Sequence, residues 1–426
     1  MVEDYLNRLR MLSRDVRLFL ISAALLGFTV SGGIYTVLLN LYLLRLGYGT
    51  RFIGLINGAG LLSGLFSLPI GVTSERVGVR RMLIASMGLA AMGFVALPFA
   101  ELAPAGLCAP LLLASHFLGQ LGITTWVVNG GPFLTAATSE QERSHAFSSG
   151  FGLAAVGAFI GSLVASFVPG AFAALLGSSL VEPAPYRCTL LLAGALLFAG
   201  IPLFAATRPA DVGLRQRGGE SEEKAPLALI AVMSLVVLLS AIGEGAANTF
   251  FNVYLDTGLS VATSRIGTLS AVARLLALPA TMAMPLLVAR AGKRKTILVG
   301  YIMRALCLLP MALLPHWLAV GGGFIGLTMV ASFSHPASIA FQQESVRPRW
   351  RTAMSGATNM ASGLGLAVAA FGGGYLVTGI GYGGLFLVGA AVALVAILVF
   401  WACFVAPRRR VTEVAAQALK RGATVQ

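Results

Sequence analysis

Residues 71–81 read Gly71-Val72-Thr73-Ser74-Glu75-Arg76-Val77-Gly78-Val79-Arg80-Arg81, a charged turn where one long apolar run, Phe52–Thr73, gives way to another, Met82–Ala100. A second such turn, Gly292-Lys293-Arg294-Lys295, follows Ile266–Ala289 and precedes Thr296–Leu314. The two turns are not an isolated pair. Asn40-Leu41-Tyr42-Leu43 matches Asn252-Val253-Tyr254-Leu255, and Ile53-Gly54 matches Ile266-Gly267, in the same order along the chain. Three matches at one nearly constant offset mark a duplication, so the chain reads as two copies of one unit.

The unit is a bundle of membrane helices. Hydrophobic residues make up 57% of the 426 positions, charged residues 11%, and mean hydropathy is +0.86. A soluble domain carries about 25% charged residues, so a water-bounded surface is excluded. Crossing a bilayer takes roughly 20 apolar residues per helix. Twelve runs meet that length: Leu18–Leu44, Phe52–Thr73, Met82–Ala100, Leu107–Leu134, Ala146–Phe167, Cys188–Ala206, Leu229–Leu255, Ile266–Ala289, Thr296–Leu314, Leu318–Phe341, Thr352–Thr378 and Tyr382–Val405. No alternating segments of barrel type are present. Fifty-one glycines favour close helix packing in lipid. The expected fold is all-α, with twelve spans in two pseudo-symmetric six-helix bundles.

The basic residues orient it. Arg8, Arg10, Arg14 and Arg17 precede span one. Arg76, Arg80, Arg81, Arg143, Arg290, Lys293, Arg294, Lys295, Arg347, Arg349 and Arg351 fall in even-numbered loops, against Arg45, Arg51, Arg187 and Arg265 in odd-numbered ones. The positive-inside bias therefore places both termini in the cytoplasm. The net charge of +14 reflects this loop bias and attraction to anionic lipid, not nucleic acid, because the charges are dispersed. The expected organisation is a first bundle over 1–206, a charged cytoplasmic linker over 207–227, a second bundle over 228–405 and a basic tail over 406–426. That tail is partly amphipathic, which fits a position on the inner leaflet. The N-terminal segment reads as a retained first span rather than a cleaved leader. Cys108, Cys188, Cys307 and Cys403 are widely spaced and form no metal motif, so no metal or cofactor is expected.

The turn at 71–81 resembles the signature loop of the Major Facilitator Superfamily, G-x-x-x-D-R-x-G-R-K/R, in its place between spans two and three. Glu75 replaces the usual Asp, and Val79 a frequent Arg. The resemblance implies that Gly71, Glu75, Arg76, Gly78 and Arg80 help latch the cytoplasmic side when the protein faces outward; the alternative is that the basic residues only set topology. It also implies a substrate site between the halves, lined by spans one, four, seven and ten. Span four lacks the Arg common in proton-driven antiporters, reading Ser115-His116-Phe117-Leu118-Gly119-Gln120, and span five has Ser162 where antiporters often carry Pro.

Charges inside a membrane are costly and mark function by default. Glu244 is the only acid well inside a span, and Arg274 lies at similar depth on the next helix, so an ion pair between them is expected. Asn248 follows Glu244 by one turn. Ser31 and Tyr35 in span one, His116, Gln120 and Asn129 in span four, and His335 in span ten complete the candidate pathway. Interhelical hydrogen bonding is the competing role for each polar residue. His335 precedes Pro336, which can instead mark a helix break. Arg304 lies in span nine, which the resemblance places at the periphery, and its reach to the cytoplasmic end gives it a structural role. With no G-x-x-x-x-G-K loop and no nucleophile–base pair, neither ATP-driven transport nor an enzyme is expected. The resulting expectation is a monomeric secondary transporter in the cytoplasmic membrane. It takes a small-molecule substrate, with proton coupling at Glu244 and membrane lipid as its surroundings. A uniporter, a multidrug-type efflux antiporter and a non-transporting receptor on the same fold are the competing readings.

Overall fold

The computed structural model describes residues 13–208, 226–347 and 350–406. Most of the expected linker and nearly all of the basic tail lie outside the described residues, as do Arg8, Arg10 and Arg349. Among the described residues every regular element is a helix.

Span one is two helices, Arg14–Thr29 and Ile34–Arg45. Span two runs Thr50–Leu61 and Ser67–Val77 through a short tight turn of helix. Spans three, four and five are Val79–Phe99, Ala105–Ala137 and Glu140–Leu176. Span six is Ala184–Leu196 continued by Gly200–Ala205. Spans seven to ten are Leu227–Val253, Thr263–Ala291, Lys293–Leu313 and Trp317–Glu344. Among the described residues, ten stretches are long and apolar enough to cross a bilayer. The longest, Ala353–Val405, bends at Gly381, whose φ of 73° is not helical, and so supplies spans eleven and twelve. Span eight, 29 residues long, is the remaining helix of crossing length and makes the twelfth crossing. Span ten passes through Pro336 without a break. The break falls instead in span one, at Val30-Ser31-Gly32-Gly33.

The duplication is visible in the backbone. Gly78 has φ 94°, ψ 137° and Gly292 has φ 78°, ψ 155°, a region essentially reserved for glycine. Each glycine turns the chain sharply from one span into the next. The arginine two positions on then caps the last span of its own half. Arg80 donates to the carbonyls of Phe204 (3.3 Å) and Ala205 (2.5 Å), and Arg294 to that of Phe404 (3.2 Å). A cation at a helix C-terminus satisfies free carbonyls and complements the helix dipole.

The repeated asparagines join the halves. Asn40 Nδ2 donates to the Thr249 carbonyl in span seven at 2.8 Å. Asn252 Nδ2 donates back to the Thr36 carbonyl in span one at 2.9 Å. Each asparagine therefore binds the other half's backbone about a turn earlier, as a pseudo-twofold interface requires. Asn252 thus faces span one and does not share a ligand face with Glu244.

Just beyond, Arg45 and Asp256 form a bidentate ion pair at 2.8 and 2.6 Å. Tyr186 bonds Thr263, Thr50 bonds Gly374 and Arg51 bonds Thr378 around it. These hydrogen bonds between the halves all lie at this end. Spans two and eleven touch here and then part. A Cβ on Gly54 would sit 2.3 Å from the Ala370 carbonyl oxygen, one on Gly363 3.8 Å from Leu61, and one on Gly64 would meet nothing within 4 Å. The halves are closed at the Arg45–Asp256 end and diverge toward the Gly78 and Gly292 turns.

Candidate functional site

Glu244 is placed on span seven between Gly243 and Gly245, where the absence of neighbouring side chains brings other helices close. A Cβ on Gly245 would meet the Ala369 side chain at 2.8 Å. The carboxylate is 14% exposed and looks into a cavity of about 100 Å³. Span seven contributes Ser240 and Glu244 to its lining, span nine Tyr301 and Arg304, span ten His335, Ser338 and Gln342, and span eleven Asn359 and Ser362. The pocket is thus built by the second half, and spans one and four do not line it.

Glu244 is not paired with Arg274. Its Oε2 accepts from Arg304 Nη1 at 3.0 Å and meets His335 Nε2 at 3.0 Å; Asn248 reaches Oε1 at 3.5 Å. Arg304 is almost fully buried and is held by Ser240 (3.3 Å), by Ser334, and by Tyr301, whose ring lies 5.6 Å from the guanidinium carbon. Its role as a peripheral residue is therefore corrected: span nine packs closely enough on spans ten and eleven to deliver the side chain inward. His335 is half-exposed on the pocket wall. A carboxylate shared between a permanent cation and an imidazole can exchange one partner for a proton or ligand while keeping the other.

The remaining candidates divide. Arg274 is half-buried at the contact between the halves, against Gly32 and beside Ala158. Ser31 is exposed in the break of span one. Tyr35 is buried within the first half, its hydroxyl between the carbonyls of Phe94 and Leu190. Asn129 is buried and donates back along its own helix to Thr125 at 2.8 Å. His116 is buried edge-on to Phe94 with Nδ1 unpartnered, and Gln120 lies with it against Gly60. The structure does not bring His116, Gln120, Asn129 or Tyr35 to the Glu244 pocket.

A family model described as Major Facilitator Superfamily matches residues 19–370, and again 233–425. The chain belongs to the Major Facilitator Superfamily. It is a membrane transporter of that superfamily, and several solved transporters share its fold. A single-substitution mutant of the nucleoside transporter NupG aligns with TM-score 0.73 at 14% identity, covering 92% of this chain and 100% of its own. A bacterial homologue of the human lysosomal transporter Spinster, inward-facing and occupied, gives 0.69 at 15%, with 91% and 95% covered. A bacterial homologue of the iron transporter ferroportin, inward-facing, gives 0.70 at 13%, with 91% and 98% covered. No curated protein matches the sequence. Identities this low establish the shared fold only.

In this superfamily member the signature loop stands free of the second half. Glu75 and Arg76 are exposed, and among the described residues neither is paired; Arg80 binds span six of its own half. Sequence reasoning missed the Arg45–Asp256 pair because both residues read as loop charges. Their signal was the position of each just past the repeated Asn-x-Tyr-Leu.

Proposed function

We propose that the protein is a secondary carrier that works by alternating access, with proton coupling centred on Glu244, Arg304 and His335. The observation that carries this reading is the one-ended closure of the halves: the Arg45–Asp256 end is bonded shut, and the Glu244 pocket lies on the side where they part. Two rigid bundles that rock about a mid-membrane site reverse which end is open. The distribution of basic residues supports placing the Gly78 and Gly292 end, the linker 207–227 and the tail 406–426 in the cytoplasm, and the protein in the cytoplasmic membrane. On that orientation the open side faces inward. The bundles are taken as 1–206 and 228–405.

Coupling requires that Glu244 hold a proton in one state and not in the other. Movement of Arg304 or His335 away from the carboxylate supplies that difference, because the charged form loses its partners. The test is transport in proteoliposomes of a solute first found by thermal-shift screening. Glu244→Gln keeps the size and cannot release a proton. It abolishes accumulation driven by a pH gradient and retains counterflow exchange. Accumulation by Glu244→Gln under the same gradient removes Glu244 as the proton site; wild-type counterflow with no response to a gradient makes the protein a uniporter.

A further inference from the structure

One acid and two arginines lie deep in the spans: Glu244, Arg274 and Arg304. Glu244 is engaged by Arg304 and His335 on the same oxygen. Arg274 is left over. Among the described residues its guanidinium makes no hydrogen bond and no ion pair. Counting nine residues from Arg265 places it about 13–14 Å along span eight. It does not turn toward lipid: a Cβ on Gly32 would lie 2.9 Å from its Nε, so the group packs across the contact into the first half.

The first half offers it no negative partner there. Gly32 lies in the break of span one, with φ 96°, and its carbonyl already accepts from Ser162 at 2.7 Å. The helix Ile34–Arg45 begins immediately after and has no side-chain cap. The break presents both the negative end of Arg14–Thr29 and the positive end of Ile34–Arg45, so it offers the guanidinium no net opposite charge. Ser31, exposed in the same break, adds a hydroxyl. Glu244 acts on Arg274 electrostatically, but no acid bonds to it, and an anion held by the guanidinium supplies the direct partner it lacks. Two arginines against one ionised carboxylate leave one positive charge in excess, which a neutral or cationic solute leaves uncompensated.

We propose that the translocation pathway takes a small organic anion, whose carboxylate or phosphate is held by Arg274 at the break of span one. This rests on the carrier reading and names the substrate class of its pathway.

The test is a thermal-shift screen of the full chain in neutral detergent at fixed ionic strength, with each anion set against its uncharged partner: gluconate and sorbitol, benzoate and benzamide, glycerol 3-phosphate and glycerol. The first two pairs report a carboxylate and the third a phosphate. Expected is stabilisation by an anion and not by its partner. The half-saturating concentration should rise at least tenfold in Arg274→Gln, and by less in Arg274→Lys, which keeps the charge and loses the planar fork. Arg274→Lys carries the comparison if Arg274→Gln is not monodisperse. Equal binding of the neutral partner, an unchanged affinity in Arg274→Gln, or no stabilisation by any anion overturns the proposal. Counterflow separates it from the carrier reading. An anion bound through Arg274 without exchange leaves the anion site standing and removes the carrier. Exchange of a neutral solute, unaffected by Arg274→Gln, does the reverse.

Discussion

Arg304 is held by Glu244, Ser240 and Ser334, and both charged side chains are largely buried. Removing one member of a buried pair strands the other and costs about 3–5 kcal/mol, whereas replacing both by neutral groups of similar size costs far less. Arg304→Ala is therefore expected to lower the apparent melting temperature in detergent strongly. Arg304→Gln combined with Glu244→Gln should recover most of the loss. Arg274→Ala, which breaks no internal bond, should be much milder; equal losses for the two arginines would show that Arg304 is not the structural partner of Glu244. Glu244 was legible in the sequence because it is the only acid deep in a span. Its partner was not, because depth along a helix says nothing about which helix face meets which neighbour. Arg274 and Arg304 both lie at a suitable depth, and only packing brings Arg304 to the carboxylate.

The turns at Gly78 and Gly292 show how much a single element can encode. Nothing lies within 4 Å of a Cβ built on either glycine, so a side chain meets no obstruction there. The backbone itself is the constraint, and a non-glycine residue at such angles costs about 1–3 kcal/mol. Gly78→Ala and Gly292→Ala are each expected to lower the melting temperature by similar amounts, and Gly78→Leu by little more than Gly78→Ala. A much larger loss in Gly78→Leu would indicate crowding at the turn. Glu75 tests a different property of the same element. It is exposed and unpaired in this arrangement, where the halves part at its end, so Glu75→Gln should leave the melting temperature unchanged. If the loop latches the halves in the opposite state, the same variant slows solute exchange; wild-type exchange leaves the loop a determinant of topology alone. These turns were readable because glycine is nearly obligatory at them and recurs at a fixed offset. The break in span one was not, since Ser31-Gly32-Gly33 sits inside an apolar run that length alone makes continuous.

At the scale of the whole molecule, one end of the contact between the halves is tied by the Asn40, Asn252 and Arg45–Asp256 bonds, of which the ion pair is the charge-assisted one. Both oxygens of Asp256 accept from Arg45, and Arg45 also donates to the Leu180 carbonyl at 3.0 Å, so the pair is fixed in geometry rather than fluctuating. A charge-assisted bond of this kind contributes about 1.5–3 kcal/mol, and 1.4 kcal/mol changes an equilibrium tenfold. Because the bond exists only while this end is closed, weakening it shifts the population toward the state in which this end opens. Asp256→Asn keeps the shape and removes the charge. The reporter is a cysteine at Asn248, an exposed position one turn from Glu244, in a chain whose Cys108, Cys188, Cys307 and Cys403 are replaced by serine or alanine. An impermeant thiol reagent applied from the Arg45–Asp256 side should label it about tenfold faster in Asp256→Asn than with Asp256 intact. The exchanged pair, Arg45→Asp with Asp256→Arg, should return the rate toward its original value, because the attraction depends on opposite charge and not on which half supplies it. An unchanged rate in Asp256→Asn would mean that the reciprocal Asn40 and Asn252 bonds hold this end closed without the ion pair, and the double variant Asn40→Ala with Asn252→Ala would then carry the opening.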